Sequence, residues 1–277
     1  MQEKQVINNN PIGIFDSGLG GLTVMSAISK LMPKENIIYF GDTAHVPYGT
    51  KSKETVTGFA IKISKFLMKN NVKIIVVACN TASAFSLDFL KQNMQVPVIG
   101  VIKAGAHEAI EQTKNKRIGI IGTQGTIKSY AYVKEVKKYD SKIKCFLQAC
   151  PLFVPLVEEG WVENKNKKKI VEDIANIYLK NLIRKNIDTL ILGCTHYPLL
   201  KQTIQKVIGS EIKIIDSAIA VAHEVKKVLE EKNLLNNKEG NKKYKFCVSD
   251  DPQKFETIGN RFLGKKIKIS AIKVEID

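Results

Sequence analysis

The chain alternates short, almost wholly apolar runs with longer stretches in which apolar residues return every three or four positions. Runs of the first kind are IGIFD (12–16), NIIYFGD (36–42), KIIVVAC (73–79), VPVIGV (96–101), RIGIIG (117–122), IKCFLQAC (143–150), DTLILGC (188–194), IKIID (212–216) and YKFCVSD (244–250). Their length and composition predict strands. Between them, TVTGFAIKISKFLMKN (55–70) places Phe59, Ile63, Phe66 and Leu67 on one helical face, and KKIVEDIANIYLKNLIRKN (168–186) does the same with Ile170, Ile174, Ile177 and Leu182. Strands alternating with helices predict an α/β fold, with parallel sheets covered by helices.

The pattern is also written twice. Residues 67–81 overlay residues 182–196 without a gap at an offset of 115, which sets Cys79 on Cys194. Residues 96–109 overlay 212–225 at an offset of 116, so that two Ala-His-Glu triplets coincide, and 12–17 overlay 118–123 at 106. Growing offsets predict an internal duplication with a few inserted residues, such as the GWVENKNKKK stretch (160–169). The alternative is that two unrelated parallel-sheet halves merely look alike. A duplication implies two pseudo-symmetric parallel-sheet domains, residues 1–98 with 214–277 and residues 99–213, joined by crossings in GVIKAG (100–105) and DSAIAV (216–221). Ligands of such sheets bind at the carboxyl ends of the strands, here in the cleft between the domains. Cys79 and Cys194 then face each other across it.

Composition narrows the class of function. At 277 residues and 44% hydrophobic content the chain can bury a substantial core. No apolar run approaches the roughly 20 residues of a membrane span. The leader MQEKQVINNN lacks the apolar segment of a signal peptide, so the expected location is the cytoplasm, with no membrane partner. Five widely spaced cysteines without a Cys-x-x-Cys pair imply reduced thiols, with neither a disulfide framework nor a metal knuckle. The net charge of +16 favours anionic partners, but its densest pieces, NKNKKK (164–169), NKKYK (241–245) and GKKIKI (264–269), are rich in Lys and poor in Arg and aromatics. They read as a solvated lysine surface rather than a nucleic-acid site.

Candidate chemistry gathers at the strand ends. Cys145, Cys150 and Cys247 read as small buried hydrophobes. Cys79 and Cys194 differ, because Asn80 and Thr81 follow one and Thr195 and His196 the other, as at strand-to-helix turns. Free N–H groups at such turns bind anions and lower a thiol pKa from its usual value of about 8.5. FDSGLGGL (15–22), with Asp16 and Ser17, reads as a second anion cradle. It is a poor dinucleotide fingerprint, since Thr23 stands where Gly or Ala is needed. Asp42 imitates a ribose-binding acid, which keeps a nucleotide-binding dehydrogenase as an alternative. GDTAHVPYGT (41–50) supplies Tyr48 and Gly49, and CPLFVPLVEEG (150–160) supplies Glu158 and Glu159.

With these residues assembled, the chain resembles the cofactor-independent aspartate/glutamate racemases, and among them the glutamate racemases, over nearly its whole length. GIFDSGLGGLTV, GDTAHVPYG, ACNTAS, CPLFVPLVEEG and LGCTHYPLL carry the resemblance, in that order. It implies two pseudo-symmetric α/β domains with the active site between them. It further implies that Cys79 and Cys194 are acid/base thiols on opposite faces of the substrate α-carbon, Cys79 deprotonating D-glutamate and Cys194 L-glutamate. Asp16, Ser17, Tyr48, Gly49, Asn80, Thr81, Thr195 and His196 then bind glutamate or tune the thiols, and Thr123 and Thr126 add contacts. Asp16 supports the first thiol, and His196 with Glu158 the second, the adjacent Glu159 being the alternative register. His45 stands where many members carry Arg. No cofactor or metal is implied, and none of the motifs offers a Schiff-base lysine beside a phosphate cup. The remaining implications are a homodimer and a supply of D-glutamate for peptidoglycan. A sister enzyme acting on aspartate or a hydantoin is the nearest alternative.

Overall fold

A computed structural model describes residues 8–237, 242–263 and 269–276. Most of the leader and nearly all of the GKKIKI stretch therefore lie outside the described residues. Strands form at the apolar runs: β1 (Ile12–Asp16), β2 (Ile37–Gly41), β3 (Ile74–Val77), β4 (Val98–Gly100), β5 (Arg117–Gly122), β6 (Lys144–Ala149), β7 (Thr189–Gly193), β8 (Lys213–Asp216) and β9 (Tyr244–Val248). A further strand, β10 (Ala271–Lys273), pairs with β9 at the sheet edge and carries no apolar run to announce it.

The strands build two sheets in which every pairing is parallel, a six-stranded one in the order β10-β9-β2-β1-β3-β4 and a four-stranded one in the order β6-β5-β7-β8. The order β2-β1-β3-β4 thus recurs as β6-β5-β7-β8, and the strands that the sequence offsets overlay are the strands in equivalent places. In β1, Ile12 and Ile14 enter a core shared by both sheets, while Phe15 enters a second core on the other face with Phe40 and Val77. Successive side chains point to opposite faces and both faces are covered, so the strands read as unbroken apolar runs.

The covering helices are α1 (Leu22–Leu31), α2 (Lys53–Lys69), α3 (Asn80–Asn93), α4 (Val101–Gln112), α5 (Gln124–Lys128), α6 (Ala131–Tyr139), α7 (Phe153–Glu158), α8 (Lys168–Ile183), α9 (Lys201–Ile208), α10 (Ser217–Glu231) and α11 (Pro252–Leu263). Helix α2 starts at Ser52, whose Oγ accepts from the Thr55 N–H at 3.2 Å, and buries Ile63 and Leu67 with Phe59 and Phe66 half-buried beside them. Helix α8 departs from its expected face. It buries Val171, Ala175, Leu179 and Leu182, leaving Ile170 and Ile177 exposed at 47% and 64%. The sequence carries two adjacent apolar stripes there, and packing selected the other one.

The chain leaves the first sheet after Gly100 through α4 and returns from the second after Asp216 through α10, whose N-terminus Asp216 caps by accepting from the Ala218 N–H at 3.0 Å. Helices α1, α4 and α10 contribute Met25, Ile102 and Val221 to the shared core. Beneath β3, the fully buried Lys73 donates to the carbonyls of Asn8 and Leu234 and lies 2.6 Å from Glu35 Oε2. No helix among the described residues is long and apolar enough to cross a membrane.

Candidate active site

Ser17 follows β1, Cys79 follows β3, Thr123 follows β5 and Cys194 follows β7, and all four line one cavity of about 280 Å³. That size is at the small end of ligand pockets, near about 300 Å³. Tyr48, Gly49, Asn80, Thr81, Glu158, Glu159, Thr195 and His196 line it as well. Asp16 and Thr126 do not reach the cavity wall; they are buried behind it.

Cys79 caps α3, and its sulfur accepts from the Ala82 N–H at 3.4 Å and lies 3.8 Å from Ser17 Oγ. The helix N-terminus was expected to lower this thiol's pKa, but the balance runs the other way. Burial, and after it the charge of Asp16, pushes the Cys79 thiol up to about 12, while the Ala82 N–H and Ser17 pull down by less. A desolvated thiolate costs more here than one amide dipole returns. Burial likewise raises the Cys145, Cys150 and Cys247 thiols, which sit in or against the two cores.

The turn after β7 is built differently. Cys194 leads through Thr195 and His196 into a short 3₁₀ helix, Tyr197–Leu200, and α9 begins only at Lys201. The Tyr197 N–H, in the place that Ala82 takes toward Cys79, donates instead to the Cys194 carbonyl at 3.1 Å, and the thiol's partner is the His196 side chain. His196 Nδ1 lies 4.0 Å from Cys194 Sγ, and Nε2 lies 2.9 Å from Glu158 Oε1. Burial alone would lower the His196 pKa, but contact with Cys194 and Glu158 outweighs it and holds the imidazole up at about 10. Burial pushes Glu158 up and the His196 bond and charge pull it further down, leaving it below the ordinary carboxylate value. The adjacent Glu159 lines the cavity without a His196 contact.

Asp16 is fully buried, accepting from the Gly18 N–H at 3.0 Å and from Thr195 Oγ1 at 3.4 Å. Burial raises its pKa, with His196 and the Gly18 N–H opposing. It acts on Cys79 by charge and joins the first half to the second by hydrogen bond. The glycine-rich turn also interlocks the two halves. A β-carbon on Gly20 would collide with Thr195 Oγ1 and His196 Nδ1, and Thr23 Oγ1 donates to the Gly20 and Thr195 carbonyls.

The 41–50 loop is organised by Asp42, which is fully buried and accepts from Tyr48 Oη at 2.5 Å and Ser249 Oγ at 2.7 Å. His45 Nδ1 lies 2.8 Å from the same carboxylate, and its ring stacks on Phe59 at 4.2 Å. Asp42 is thus occupied within the fold and is no ribose-binding acid, which removes the dehydrogenase alternative's one supporting residue. Opposite, Thr81 Oγ1 lies 2.8 Å from Thr123 Oγ1 and 3.2 Å from Thr126 Oγ1, a cluster of hydroxyls drawn from both halves.

Sequence reasoning missed the apolar wall of Val46, Pro47, Pro151, Val154 and Pro155, and Gln124 beside it. All but Gln124 fall inside the two motifs already singled out, and a proline-rich motif bordering polar ligand groups was the available signal. It also missed Tyr132, whose hydroxyl donates to Asn80 Oδ1 at 2.7 Å; nothing in its α6 context marks it. Among the described residues no three His, Cys, Asp or Glu side chains converge as a metal-ion site.

Two equivalent half-sites each present a thiol to a common cavity. Residues 12–225 match the sequence model of the Asp/Glu/Hydantoin racemase family, and the chain belongs to that family. It is 50% identical over 256 residues to a glutamate racemase of Geobacter metallireducens, spanning 92% of this chain and 93% of that one. Among solved structures it superposes with a TM-score of 0.91 on a glutamate racemase isoform of Bacillus anthracis, at 41% identity over 97% of this chain and 98% of that one. A glutamate racemase of Francisella tularensis, solved in complex with D-glutamate, gives a TM-score of 0.90 at 40% identity over 98% of this chain and 99% of that one. The reading of the sequence as an enzyme stands.

Proposed function

We propose that this protein interconverts L-glutamate and D-glutamate by two-base proton transfer between Cys79 and Cys194. The observation that carries the reading is that the two thiols end equivalent strands of the duplicated unit and line one cavity. Its extensive likeness to glutamate racemases, one of them holding D-glutamate, supports the choice of substrate.

Inverting a stereocentre requires a base on one face of the α-carbon and an acid on the other. The thiolate sulfur takes the α-proton, and the electron pair of the broken C–H bond spreads from the α-carbon onto the carboxylate. The opposite thiol then delivers its proton to the other face and becomes the thiolate. Two alike groups in opposite protonation states serve both directions. Burial and Asp16 favour Cys79 resting as the thiol, while the imidazole of His196, held up at about 10, offers a cation and an N–H to negative charge on the Cys194 sulfur. Glu158 steadies that imidazolium. Both proton carriers are side chains, so the reaction calls on no cofactor.

Carbanion stabilisation falls to groups around the carboxylates. Ser17, Asn80, Thr81, Thr123 and Thr195 bring side-chain donors to the cavity, Tyr48 and Gly49 close one wall, and the apolar wall excludes water. Thr126 supports the hydroxyl cluster from behind. The same reading divides the chain into two domains along the sheets. Its crossings are the GVIKAG (100–105) and DSAIAV (216–221) segments, which hold the starts of α4 and α10. It also includes a homodimer, a cytoplasmic location and a supply of D-glutamate for peptidoglycan. Purified protein added to L-glutamate should abolish its circular dichroism signal and leave that of L-aspartate unchanged. An unchanged L-glutamate signal would refute the reading, and loss of only the aspartate signal would reassign the substrate.

A further inference from the structure

Asn80, the first residue of α3, is 2% exposed and lines the cavity. Its two amide ends differ. Oδ1 accepts from the Tyr132 hydroxyl at 2.7 Å, whereas Nδ2 is buried and has no hydrogen-bond partner. An amide donor left buried and unpaired is costly in a folded protein, so one on a side chain that lines a ligand cavity marks the place of an acceptor.

A primary amide can turn either end toward its surroundings, and something must choose. Tyr132 comes from α6, in the half opposite Asn80, and is itself buried at 2% exposure. Burial raises its phenol pKa above the usual tyrosine value, so the hydroxyl stays a donor at any working pH. The Ser217 side chain bonds to the phenol oxygen, so the phenol's own proton goes to Asn80 Oδ1 and the NH₂ group is left unpaired. The ring is held where the two halves join: a β-carbon on Gly105 of α4 would lie 3.0 Å from Ser217 Cβ, at the start of α10, and 3.5 Å from Tyr132 Oη.

We propose that Tyr132 is a positioning residue of the reaction, fixing the Asn80 amide so that its unpartnered Nδ2 donates to a carboxylate of the bound amino acid. The tyrosine touches no substrate and acts through Asn80 alone. This inference rests on glutamate being the substrate.

The test is a double-mutant cycle over Tyr132→Phe and Asn80→Ala, read by calorimetric titration with glutamate at its racemic equilibrium and by steady-state racemisation. Loss of one hydrogen bond to a charged group weakens binding about ten- to hundredfold. Tyr132→Phe should show a weakening in or just below that range, with KM rising more than kcat falls. Placed on Asn80→Ala it should add less than about twofold, because the group it positions is gone. A tyrosine that merely supports the fold would lower the unfolding midpoint and multiply independently with Asn80→Ala. That result, or unchanged binding by Tyr132→Phe, would overturn the inference. Should Tyr132→Phe fail to fold, the ¹⁵N-labelled Asn80 side-chain amide of the unaltered protein decides. Its NH₂ signals should move on adding glutamate, and unmoved signals would overturn the inference. An unaltered protein without racemase activity defeats the substrate reading, whereas an active one whose Tyr132→Phe variant binds normally defeats only this inference.

Discussion

His196 Nε2 lies 2.9 Å from Glu158 Oε1, and the far side of the same ring lies 4.0 Å from the Cys194 sulfur. The carboxylate therefore acts on the thiol through the imidazole. Glu158→Gln keeps the size and removes the charge that holds the ring protonated. Racemisation should fall about ten- to hundredfold in both directions, which share one equilibrium, while Glu159→Gln should change it little. Equal losses in the two variants would detach Glu158 from this role.

The same pair makes stability depend on pH. A histidine at about 10 in the folded protein against 6.5 as its ordinary value stabilises fully below pH 6.5, and that contribution is lost as pH rises through about 10. His196→Asn removes it at every pH. The gap in thermal midpoint between the unaltered protein and His196→Asn should narrow as pH rises from about 6.5 to 10. A gap constant across that window would mean the imidazole is not held charged.

Asp42 receives Tyr48 Oη, Ser249 Oγ and the His45 ring on one buried carboxylate. Asp42→Asn cannot accept from all three, and hydrogen bonds to a charged group are worth about 1.5–3 kcal/mol. Stability should drop by about 2 kcal/mol in urea unfolding, and KM for glutamate should rise more than kcat falls, because the loop that carries Tyr48 and Gly49 loses its anchor. An unchanged KM would separate this loop from substrate binding.

Lys73 and Glu35 form a fully buried pair 2.6 Å apart, with Lys73 at the opposite end of β3 from Cys79. Lys73→Met leaves Glu35 without its cation, which should cost about 3–5 kcal/mol. Adding Glu35→Leu should recover part of that loss, with racemisation per folded molecule unchanged throughout. A neutral Lys73→Met would show that the pair contributes little.

The sequence made the strands legible because a parallel strand covered on both faces has no polar positions to interrupt it, as in Ile74–Val77. The offset that sets Cys79 on Cys194 also carried the shared strand order, since duplicated units keep both their apolar pattern and their turns. What stayed hidden depends on partners distant along the chain. Nothing in Ala271–Lys273 shows that β9 has an open edge beside it, and nothing in α8 says which of two apolar stripes meets the sheet. The helix-start argument for Cys79 was locally sound, but desolvation is a property of the whole fold and reversed its sign. Gly20 reads as a flexible turn residue until Thr195 and His196 are seen against it.

If the two cavity thiols are the acid and the base, serine substitution at either should stop racemisation without unfolding the protein. A hydroxyl is nearly the size of a thiol but far less acidic. Purified Cys79→Ser and Cys194→Ser should unfold at temperatures close to that of the unaltered protein, yet racemise glutamate slower by orders of magnitude. Each should retain proton exchange with one enantiomer only, seen as deuterium entering the α-position from heavy water: D-glutamate where Cys79 survives and L-glutamate where Cys194 survives. Near-normal racemisation by either folded variant would contradict the two-thiol account.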